Sequence, residues 1–132
     1  MIIDIAKNAI TALGLVPDED VHVSVIKDTD WNGTPKIVLM TEPTKVEDIA
    51  QTSIIAVTTP LTIYCLAETR QEAWNTVRQA AHAVYQQFTE LERQRNSGVF
   101  CITLGGYDVV PVPERTLFQA NVSFNLLHPL TL

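Results

Sequence analysis

The chain has 132 residues, 46% of them hydrophobic and 18% charged, which is enough apolar material for a real core and too little charge for a disordered chain. Nine Lys and Arg stand against fifteen Asp and Glu, a formal charge of −6. The basic residues are few and scattered, so direct nucleic-acid binding and docking on an anionic membrane are both excluded from the expectation.

The pattern along the chain predicts one α+β domain over 1–132. In residues 2–13, Ile2, Ile3, Ala6, Ala9, Ile10 and Leu13 recur at helical steps, with Gly14 as a C-cap and Pro17 as a stop. Val21, Val23 and Val25 alternate with His22 and Ser24 as in a strand, and Ile37 to Met40 makes another. Between them Asn32-Gly33 and Pro35 are turn residues, so a hairpin is expected. Residues 41–53 read as a polar loop. The apolar run 54–67 is divided by Pro60, which suggests an edge, a bulge or a change of sheet there. Within it Leu61, Ile63, Cys65 and Ala67 share one face.

From Thr69 to Arg95 there is no Pro or Gly, and Trp74, Val77, Ala81, Val84, Phe88 and Leu91 form an apolar stripe at three- and four-residue steps. Thr69 and Glu72 make a capping box at its start. Residues 99–104 then read as a buried strand, Gly105-Gly106 as a turn or bulge, and 109–116 as an extended, proline-punctuated edge. In the last strand Phe118, Ala120, Val122, Phe124 and Leu126 alternate with Gln119, Asn121, Ser123 and Asn125. Strands in clusters, one face packed, predict a mostly antiparallel sheet covered by the long helix and the short N-terminal one.

No catalytic or cofactor constellation emerges. Asp28-x-Asp30-x-Asn32-Gly33 opens like a calcium loop, but its twelfth position is Leu39 rather than Glu, and its flanks read as strands. His22, His82 and His128 lack metal-ligand spacing, and His82 reads as a partly buried residue at the border of the helical stripe. Cys65 and Cys101 are expected as buried thiols in a reducing cytoplasm. The pairs Asp18/Asp20 and Glu90/Glu92 are expected in solvent, where no desolvation tunes them. Neither a basic n-region with an apolar core nor a run of ~20 apolar residues is present, so a soluble cytosolic chain is expected. No metal, no cofactor and no enzymatic activity are predicted. Surface features remain. Trp31 in a polar loop either tucks onto the sheet or marks an interface, and the uncharged ladder from Gln119 to Asn125 suits a subunit contact.

The run TPLTIYCLAETRQEAWNTVRQAAHAVYQQF, followed by PERTLFQANVSFNLL, resembles the small tail terminator and tail-completion proteins of long-tailed bacteriophages. In that family a β-branched and aromatic strand enters a helix through an A-x-(S/T)-x-x-E-A turn, here Ala67, Thr69, Glu72 and Ala73. The resemblance implies a non-enzymatic structural protein of the virion tail, assembled in the host cytoplasm. It would form a homo-oligomeric ring, typically a hexamer, that ends growth of the tail tube and meets the tail-tube protein and the head-completion or connector protein. The family supplies no ligand-binding motif to carry over, so Trp31, Arg115, Gln119 and Asn121 are candidate interface residues from the surface reading alone. Two other readings stay open: a small cytosolic ligand- or protein-binding module, and an enzyme site around His22, Asp28 and Asp30.

Overall fold

A computed structural model of the chain describes residues 2–23, 35–42, 45–47, 56–94, 99, 101–112 and 116–129. Helix α1 covers Ile2–Thr11 and buries Ile2, Ala6 and Ile10. It ends where Gly14, at φ +66°, donates to the Thr11 carbonyl at 3.2 Å. A side chain there would be strained, which is why glycine stops this helix. A 3₁₀ turn at Asp18–Asp20 leads into strand β1, Val21–Val23. Strands β2 (Lys36–Thr41), β3 (Lys45–Glu47) and β4 (Ala56–Ala67) follow, then helix α2 (Arg70–Arg93), β5 (Cys101–Pro111) and β6 (Phe118–Pro129).

The six strands form one sheet in the order β1-β2-β4-β6-β5, with β3 alongside β4. All pairings are antiparallel except β1 with β2. The fold is therefore α+β, with a mostly antiparallel sheet. The expected hairpin between 21–25 and 37–40 does not form: Val21 pairs with Ile37 and Val23 with Leu39 in parallel. A parallel pair needs a crossover, so turn chemistry in the linking sequence did not report the direction of pairing. The expected loop at 41–53 likewise contains β3.

Pro60 sits in the middle of a central strand, where a missing N–H is normally costly. Its carbonyl accepts from Glu42 N–H at 3.1 Å, which puts its own absent donor toward the same side. On that side β2 pairs with residues 61–66 of β4 and β3 with 56–58. The proline thus falls where the neighbouring strand changes, and little of the ladder is lost.

The alternation in β4 and β6 decides which face is dry. Leu61, Ile63, Cys65 and Ala67 join Ala120, Val122, Phe124 and Leu126 in one cluster beneath Val77, Val84 and Phe88 of α2. Burying each large side chain contributes ~1.5–3 kcal/mol, so this layer holds most of the stability. The Thr69 hydroxyl accepts from Glu72 N–H at 3.1 Å, as the capping box predicts. One ion pair among the described residues lies inside the protein. Asp20, expected in solvent, is buried with Lys36 in a salt bridge that ties the start of β1 to β2.

Candidate interaction surface

Among the described residues, the groups that the sequence offered for chemistry do not converge. Cys65 is buried and its thiol is pushed up to about 12, chiefly by burial and slightly by Glu72, against a hydrogen bond from Thr76. It is protonated and inert at neutral pH. Cys101 is only half-buried, because β5 lies at the edge of the sheet. His82 is exposed rather than partly buried at the border of the core. His128 is buried and bonded to Thr59 at 2.8 Å. His22 is half-buried, and its Nε2 has no hydrogen-bond partner among the described residues. Among the described residues no group of three His, Cys, Asp or Glu is placed to hold a metal ion. Asp28, Asp30, Asn32 and Gly33 lie outside the described residues, as do the interface candidates Trp31 and Arg115.

Gln119 and Asn121 are half-buried on the face of β6 opposite α2. Asn121 is flanked by Tyr64 of β4 and Asp108 of β5, and Gln119 by Leu66 and Val110. Two positions along, Ser123 and Thr62 share a cross-strand hydrogen bond at 3.2 Å. This ladder is a real polar strip, in part satisfied by its own neighbours.

The larger exposed feature lies on the other face, at the β5 edge. A groove of about 410 Å³ runs between α2 and the β5–β6 pair, bounded by Trp74, Arg78, Tyr85, Leu104, Tyr107 and Phe124. Tyr107 is 68% exposed and Leu104 58%. The rings of Trp74 and Tyr107 lie 5.5 Å apart, tilted by 44°, and Tyr85 meets Phe124 at 6.0 Å. Along the outside of α2 no charged residue occurs from Gln79 to Thr89, where Gln79, His82, Tyr85, Gln86 and Gln87 are exposed. A bare aromatic groove beside an uncharged helix face is the composition of an interface core rather than of ordinary surface.

A β-bulge builds this groove. The register steps from Leu104↔Phe124 to Gly106↔Ser123 and then Tyr107↔Val122, leaving Gly105 as the extra residue. Without the insertion Leu104 and Tyr107, three positions apart, would point to opposite faces; with it both point toward α2. A Cβ at Gly105 would approach Asn125 Nδ2 to 3.3 Å and the Ser123 carbonyl to 3.4 Å, so a small residue suits this position. Reading 99–104 as buried missed this, because an apolar run looks the same at the edge as in the centre. The Gly-Gly pair was the available signal.

No protein-family model matches the chain, and no curated protein matches it in sequence. Among solved structures, a chain in the virion of a native gene transfer agent particle is similar over 93% of each chain, at TM-score 0.53 and 11% identity. At that identity the likeness is one of fold. Two structures from Akkermansia muciniphila cover 70% and 68% of this chain, and 39% and 44% of their own, at TM-scores of 0.28 and 0.27 and 13% identity.

Proposed function

We propose that this chain is a non-enzymatic structural subunit of a phage-like particle, a tail terminator that assembles as a ring at the end of the tail tube. The observation that carries this reading is a fold shared nearly end to end with a chain from a gene transfer agent virion. The exposed aromatic groove at the edge of the sheet supports it, since a protein that works by fitting other subunits needs dry surface left over after folding. The net charge of −6 suits protein partners better than DNA or lipid. In this reading the ring, a hexamer by analogy with the tail terminators, meets the tail-tube protein on one side and the head-completion or connector protein on the other. Its work is geometric: it occupies the last tube ring and offers no further site for tube subunits.

Light scattering across a range of protein concentrations tests the ring, and electron microscopy of tail tubes grown with and without the protein tests the capping. A discrete ring-sized mass and tubes of arrested length are expected. A chain that stays monomeric at every concentration and leaves tube length unchanged would sink the proposal. The groove favours a second reading, a binding module for an apolar ligand. A rise in melting temperature with a small aromatic compound, lost on Trp74→Ala, would support that instead.

A further inference from the structure

Resting on the ring reading, we propose that neighbouring copies join head to tail across the two edges of the sheet. The β1 edge of one copy sits on the groove at the β5 edge of the next, and Arg78 faces Asp18 and Glu19 of that neighbouring copy.

The two edges differ in a complementary way. β5 and β1 are the terminal strands on opposite sides of the sheet. Along the groove at the β5 edge, Tyr107 and Leu104 of β5 and Tyr85 of α2 are exposed. Together these three present apolar surface on the order of 300 Å², comparable to the biggest such patch on a typical monomer and roughly a third of one side of a standard interface. The single charge lining the groove is Arg78, which has no ion-pair partner among the described residues. Among the described residues at the β1 edge, the exposed apolar side chain is Val23, at 43%. The turn just before it carries exposed Asp18 and Glu19. Lys36, beside the same turn, is already committed to Asp20.

A second copy is therefore the occupant that the charges select. Apolar surface meets apolar surface, and the groove's cation meets the neighbour's acids. The alternative symmetric contact, groove on groove, would bring Arg78 of both copies to one interface and leave Val23 uncovered. A contact between two different patches of one chain is heterologous, and it generates a ring when its rotation closes. β5 also has the character of an edge kept for a specific neighbour. Its one charged side chain, Asp108, is engaged within the strand, accepting from the Val109 N–H at 2.8 Å.

Complementation between charge-reversed chains provides the test. Arg78→Glu alone, and Asp18→Arg with Glu19→Arg alone, should each raise the concentration for half-assembly by tenfold or more, because like charges then meet at every contact. An equimolar mixture should assemble again as alternating rings: the reversed groove accepts the reversed edge, and the two unaltered sites accept each other. Circular dichroism melts of each variant separate a loss of assembly from a loss of folding. In parallel, Val23→Cys and Leu104→Cys chains, both carrying Cys101→Ser, should form an oxidised heterodimer when mixed and little crosslink alone. Wild-type rings with variants that assemble equally well would overturn this contact and leave the ring reading standing, with the groove free for another tail protein. Self-crosslinking of Leu104→Cys alone would overturn it in favour of the symmetric contact. A wild-type chain that never assembles would overturn the ring reading and this contact together.

Discussion

Strands β4 and β5 are nearly equal in length, 12 and 11 residues, and both are rich in apolar side chains. In β4 the residues facing α2 from Leu61 to Ala67 are fully buried. In β5 Ile102 is buried, while Leu104, Tyr107 and Val110 face solvent. The difference is position. β4 has neighbours on both sides and a helix above it, so folding uses its apolar surface completely. β5 has β6 on one side and an open edge on the other, with α2 covering only part of its inner face. Apolar surface that one chain cannot bury is surface available for association. The contrast is between residues that hold the fold and residues that the fold holds out.

The hardest test of the first half of that contrast is Phe88→Ala. Phe88 is fully buried between α2 and the sheet, and truncating it should cost about 3–5 kcal/mol, read as a lower denaturation midpoint with an unchanged slope. That is a large share of the stability of a domain this size. A loss below about 1 kcal/mol would mean that the helix is not seated on the sheet as described.

A somewhat smaller effect is expected at the β1 edge. Lys36→Met leaves the Asp20 carboxylate buried without its cation, at a cost of about 3 kcal/mol. Lys36→Met combined with Asp20→Asn should recover most of it, since the penalty lies in the unpaired charge rather than in the absent bridge. Urea titrations of the single and double variants at one pH measure the difference. Equal losses in both would show that the side chains themselves, and not the charge balance, hold β1 to the sheet. β1 has three residues against eleven in β5, so a buried ion pair is a reasonable anchor for so short a strand.

Periodicity made much of this architecture legible in advance. The stripe from Trp74 to Leu91, the cap at Thr69, the glycine stop at Gly14 and the alternation in β4 and β6 are local signals, and each has its counterpart in the structure. What periodicity could not carry was adjacency. The parallel pairing of β1 with β2, the change of neighbour at Pro60 and the burial of Asp20 against Lys36 all depend on which segments meet. The candidate surface was harder still. Gln119 and Asn121 were correctly set on the face opposite the helix-facing residues, but the aromatic groove needs three segments and one bulge to exist. Leu104 and Tyr107 look like core residues until the strand order places them at the rim.

The mildest effect on stability, and the most informative, belongs to Leu104→Ser with Tyr107→Ser. Both side chains are largely exposed in the monomer, so the double variant loses only the Trp74–Tyr107 ring contact and some partial burial. The expected cost is about 1 kcal/mol or less, a shift of a few degrees in melting temperature for a domain this size. The measurement has to be made where the chain is monomeric, because assembly would otherwise add its own free energy to the wild-type melt. If the proposed contact holds, the same variant should stay monomeric at concentrations where the wild-type chain assembles. Folding and association would then separate along the line between β4 and β5. If the dilute variant instead melts as far below wild type as Phe88→Ala does, then β5 belongs to the core, and its exposed side chains are a cost of the fold rather than a site.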